Sequence, residues 1–148
     1  MNVEEIIKTE IKIPIKARTM IHFALVANKV REQFSIALKP FDVSEQQFNV
    51  LRILRGQKGK PANLSTINER MVTKMSNTTR LVDKLILKGY VERWTCSDNR
   101  RKVEIMITEE GKTALKKIDK VMAQTEAEVL KNFTTKDLDN FNTLLDKF

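Results

Sequence analysis

Residues 64–108 read LSTINERMVTKMSNTTRLVDKLILKGYVERWTCSDNRRKVEIMIT. Apolar residues recur there first at helical steps and then at alternate positions, and the change falls at Gly89. Leu64–Arg70 reads as a short helix opened by Pro61 and Asn63, with Leu64, Ile67 and Met71 facing inward. After a brief turn a longer helix is expected over Thr73–Lys88, closed by Gly89 at a left-handed cap. Val91–Cys96 and Lys102–Thr108 then read as two strands, and the polar loop between them makes a hairpin.

At 100° per residue, Met75, Thr78, Leu81, Val82, Leu85 and Ile86 share one side of the longer helix, which must face a core. Ser76, Arg80, Asp83 and Lys84 point the other way, with Lys74 and Asn77 at the margins. Arginine suits guanine, asparagine suits adenine, and hydroxyls suit either bases or backbone. The helix N-terminus adds free amides that favour phosphate. Arg100, Arg101 and Lys102 at the hairpin tip contribute nothing to a core and suit a phosphate ridge or a narrow minor groove. The expected DNA-binding set is Lys74, Ser76, Asn77, Thr78, Arg80, Lys84, Arg100, Arg101 and Lys102.

Outward from this centre the chain is less basic. Arg52 to Lys102 holds thirteen Lys and Arg against four Asp and Glu, a net of +9 within a chain of net +8. The excess positive charge therefore lies in the middle third, as for a polyanion-binding module on a near-neutral scaffold. Upstream, Ile15–Leu38 reads as a long helix stopped by Pro40, and Ser44 with Gln47 forms a capping box for the next. Downstream, Thr108 caps a helix reaching about Asn132, and Thr135–Lys147 forms another with Leu138, Phe141, Leu144 and Leu145 on one side. Residues 1–13 fit a short helix or an extended stretch.

The fold class is thus mainly α with a small β-hairpin wing, a winged helix-turn-helix with N- and C-terminal helices. The divisions expected are an arm at 1–40, a DNA-binding lobe at 41–108 and C-terminal helices at 109–148. With one His, one Cys, no Gly-rich phosphate loop and no paired metal-ligand motif, an enzyme, a cofactor and a bound metal are not expected. The single Cys96 and the short apolar runs point to a cytoplasmic protein without a membrane partner. A winged helix used only for protein–protein contact is the alternative; it should carry apolar or acidic residues where Arg100, Arg101 and Lys102 stand.

NLSTINERMVTKMSNTTRLVDKLILKGYVER, residues 63–93, resembles the helix-turn-helix of MarR-family regulators. RRKVEIMITEEGK is similar to that family's wing and its exit through Thr-x-x-Gly. The family's usual wing Asp falls on Asn99, while Arg101 matches the arginine that the family inserts into the minor groove. The resemblance implies that the N- and C-terminal helices are dimerisation helices forming one intertwined domain, in a homodimer on a pseudo-palindromic operator, usually a repressor. It also implies a small lipophilic or phenolic effector, for which His22, Phe23 and Phe48 are candidate pocket residues.

Overall fold

A computed structural model describes residues 1–74, 77–96 and 103–148. Ser76, Arg100, Arg101 and Lys102 of the expected DNA-binding set lie outside the described residues. The element order is α1 (Val3–Ile6), α2 (Ile15–Leu38), a 3-10 turn (Lys39–Phe41), α3 (Glu45–Arg55), α4 (Leu64–Arg70) and α5 (Thr78–Leu87). It continues with β1 (Val91–Thr95), β2 (Val103–Ile107), α6 (Glu109–Val129) and α7 (Thr135–Leu145). The expected order of helices, hairpin and helices is present; in the N-terminal stretch Val3–Ile6 is helical and residues 9–14 are not. Asn2 caps α1, and Val3 is wholly buried.

Local chemistry accounts for most boundaries. Pro40 in the 3-10 turn ends α2, because a proline lacks the amide that the next turn of helix requires. Ser44 and Gln47 complete the capping box of α3, with Gln47 N–H donating to the Ser44 hydroxyl at 3.2 Å. The Ser44 amide donates back to Gln47 Oε1 at 2.9 Å. α3 then buries Phe48, Val50, Leu51, Ile53 and Leu54, so nearly half of its residues enter the core.

The core joins α3 to Ile67 of α4, Val82 and Leu85 of α5, Ile105 of β2, and Leu115 and Ile118 of α6. β1 and β2 pair antiparallel, with Val91 opposite Ile107 and Thr95 opposite Val103. Ala62 adds a bridge beside β2, exchanging both backbone hydrogen bonds with Ile105 at 2.9 and 2.7 Å. This third strand-like contact was not evident from the sequence, since one residue has no period.

The return from the hairpin is locked by one threonine and one glycine. Thr108 accepts the Gly111 amide at 3.0 Å and donates to the Gly89 carbonyl at 2.6 Å. A Cβ on Gly111 would lie 2.1 Å from the Tyr90 carbonyl oxygen, so only glycine lets α6 leave this close to the hairpin. The first half of α6 is therefore clamped against the lobe.

Candidate nucleic-acid interface

The α4–α5 pair is held by polar side chains as well as by its core. Asn63 caps α4 by accepting the Thr66 amide at 2.8 Å. The Asn49 side chain on α3 accepts the Val72 amide at 3.0 Å and fixes the turn. The Thr78 hydroxyl donates to Asn68 Oδ1 and ties the start of α5 to α4.

These bonds correct the expected helix start. α5 begins at Thr78 after an Asn77 cap, not at Thr73, because Val72 and its neighbours belong to the Asn49-bound turn. Lys74 is thus an exposed turn residue rather than part of a helix. Thr78 is also corrected: at 3% exposed, with its hydroxyl bonded to Asn68, it is turned inward and is not an open surface donor. Its buried position agrees with the core face read from periodicity, and its inclusion among DNA contacts did not respect that face.

The remaining outward face agrees with the helical wheel. Arg80 and Lys84 are exposed, Asp83 is half-buried, and Val82 and Leu85 are buried behind them. Asn77 is half-buried at the helix entrance. Thr79, exposed beside Arg80, was missed, although its hydroxyl is the same kind of donor as those selected. Gly89, at φ +72°, ends the helix by a two-bond cap: its amide reaches Ile86 O at 2.9 Å, and that of Tyr90 reaches Leu85 O at 3.0 Å. A leucine or valine at position 89 would meet the left-handed penalty, so the glycine sets the angle at which the hairpin departs.

The hairpin stem carries its own polar contacts. Arg93 Nη1 lies 2.7 Å from Asp83 Oδ1 on α5, and the Trp94 indole donates to Glu104 Oε2 at 2.8 Å. At the far end of α5, Lys88 pairs with Asp42, and this ion pair holds the Asp42 carboxyl below its ordinary value. Cys96 is a free, half-buried thiol. No cluster of His, Cys, Asp and Glu suited to a metal occurs among the described residues.

The candidate pocket residues stand on two parts of the molecule, Phe48 on the lobe and His22 and Phe23 on the arm. Phe48 is buried in the lobe, with the Arg52 guanidinium 5.6 Å from its ring centroid. Phe23 lies on the arm against Phe148, at 5.9 Å between ring centroids, and His22 beside it is half-buried. A cavity of about 390 Å³ lies elsewhere, between α1 and the start of α2, lined by Glu4, Lys12, Ile13, Pro14, Ile15 and Arg18.

Two helices braced across a tight turn, the second presenting cations outward and running into an antiparallel hairpin, define a winged helix-turn-helix. The MarR family model matches residues 43–103, which span this lobe. Over this lobe the chain is similar to the MarR family.

Individual relatives agree. The HTH-type transcriptional regulator PecS of Dickeya dadantii is 27% identical over 108 residues, 71% of this chain and 64% of PecS. The chain thus spans less than two thirds of that relative's length. MarR of E. coli, solved as a Cys-to-Ser mutant with operator DNA, is 25% identical with a TM-score of 0.75, covering 84% of this chain and 89% of that one. A MarR-like transcription regulator of Bacillus cereus shares the fold at a TM-score of 0.79 and 22% identity, covering 90% and 96% of the two chains.

Proposed function

We propose that this chain is a DNA-binding transcriptional regulator of the MarR family, acting as a homodimer on a pseudo-palindromic operator with one α5 in the major groove of each half-site. The observation that carries the reading is the outward face of α5, where Arg80 and Lys84 stand exposed over buried Val82 and Leu85. A two-fold pair of such helices reads half-sites roughly 34 Å apart, one turn of duplex. Residues 97–102, with Arg100, Arg101 and Lys102, serve as the wing on the phosphate backbone or minor groove. That MarR of E. coli has been solved on operator DNA supports this assignment.

The arms supply the dimer surface. α7 has no buried residue, and Met20, Phe23, Ile36, Phe141 and Leu144 are all exposed on a single copy. An apolar surface of this kind points to a partner, here a second copy whose arms interlock with these. Occupying an operator in this way would block transcription, so the regulator is read as a repressor. Its release by a small lipophilic or phenolic effector follows from the family resemblance, with His22, Phe23 and Phe48 as the candidate pocket residues.

Selection of bound sites from random duplex DNA tests the whole reading. A palindromic sequence with half-sites one helical turn apart is expected, and recovery of no enriched duplex would overturn it. On that operator Arg101→Ala should weaken binding generally and lower the salt dependence by about one charge. Arg80→Ala or Asn77→Ala should instead change which bases are preferred.

A further inference from the structure

α5 carries a single acid among its ten residues, Asp83. It lies on the same outward side as Arg80 and Lys84, and its side chain keeps 46% of its exposure. An uncompensated carboxylate there would face the phosphates that the neighbouring cations attract, a like-charge contact that weakens association. The residue that answers it comes from another element. Arg93 stands on β1 opposite Ile105, and its guanidinium reaches back to Asp83 at 2.7 Å.

This ion pair spans the two parts that must meet DNA together. β1 is the stem of the hairpin, and α5 is the helix beside it; the backbone link between them is the glycine turn at Gly89. An exposed pair contributes little to folding stability, so its use must be sought in what it orients and neutralises.

We propose that Arg93 is a positioning residue for DNA recognition: by pairing with Asp83 it discharges and holds that carboxylate on the DNA-facing side of α5. Arg93 does this through Asp83 and does not itself grip a phosphate. The inference rests on the reading of α5 as the DNA-facing helix. It adds to that reading the reason an acid is tolerated there and a role for a cation outside the expected DNA-binding set.

The experiment is a double-mutant cycle, measured by titrating the selected duplex over a series of salt concentrations. Arg93→Gln should weaken binding about tenfold, because Asp83 then faces DNA unpaired. Asp83→Asn alone should bind as well as the parent or better. The double variant should return to within about twofold of the parent, since both the charge and its partner are gone. A double variant as weak as Arg93→Gln would mean that Arg93 binds phosphate directly and would overturn the inference. So would Arg93→Gln binding like the parent.

Thermal melts of each variant should stay close to the parent. Should Arg93→Gln not fold, the charge-swapped variant Asp83→Arg with Arg93→Asp carries the same test: regained affinity supports the tie, and continued loss overturns it. Failure of the parent itself to bind any duplex would instead remove the DNA reading on which the inference stands.

Discussion

The lobe and the arms use similar amounts of apolar sequence to opposite ends. In the lobe, α3 buries Phe48, Val50, Leu51, Ile53 and Leu54 within eleven residues. In the arms, α2 runs for twenty-four residues and buries only Leu38, while α7 buries none. α6 shows both behaviours along one helix: Leu115, Ile118 and Met122 are buried, and the turns beyond Met122 are not. Periodicity alone cannot tell these cases apart, because an apolar stripe records a face that needs covering and not what covers it. The lobe closes on itself, and the arms leave their apolar faces exposed on a single copy.

Substitutions can break this contrast at either end. The largest effect is expected from Leu85→Ala on α5, a fully buried side chain whose loss should cost about 2–5 kcal/mol in chemical denaturation. Gly111→Ala should follow at about 1–3 kcal/mol, since its Cβ would press on the Tyr90 carbonyl and force α6 off the hairpin. Phe141→Asp with Leu144→Asp should do the reverse, leaving the lobe's fold intact but shifting the dimer to monomer in sedimentation and weakening operator binding. Retention of a full dimer would show that α7 is not part of the interface.

Smaller effects sharpen the comparison. Ser44→Ala removes half of the α3 capping box and should cost about 1 kcal/mol in the same denaturation. Arg18 donates to both carboxylate oxygens of Glu4, at 2.7 and 3.1 Å, and this holds the Glu4 carboxyl below its ordinary value of 4.5. A depressed carboxylate gives stability that is present above its unfolded value and lost as the pH falls through the folded one. The tether of α1 to α2 should therefore hold at neutral pH and loosen below about pH 4.5, where Glu4→Gln should show no such transition by amide exchange.

Much of this was legible in the chain. Ile15–Leu38 and Leu64–Arg70 are local statements of period and punctuation, and Pro40 and Asn63 bound them through chemistry that acts within a few residues. The basic centre and the polar outer face of α5 were legible for the same reason. The start of α5 was not. The sequence from Thr73 onward carries a helix-compatible pattern, but the Val72 amide just before it is held by the Asn49 side chain, twenty-three residues away. Arg93 escaped notice likewise: only the folded chain brings it to Asp83, ten positions earlier.

By itself, then, the sequence determined which segments are helix or strand, where the positive charge gathers and which face of each helix is apolar. Those properties depend on neighbours along the chain and survive any arrangement of the whole. The tertiary structure decided that Thr78 turns inward to Asn68, that Ala62 joins the hairpin, and that Phe23 and Phe48 belong to different parts of the molecule. It also separated the apolar faces buried within one copy from those left exposed. Such outcomes depend on contacts between residues distant in sequence, which no local pattern encodes.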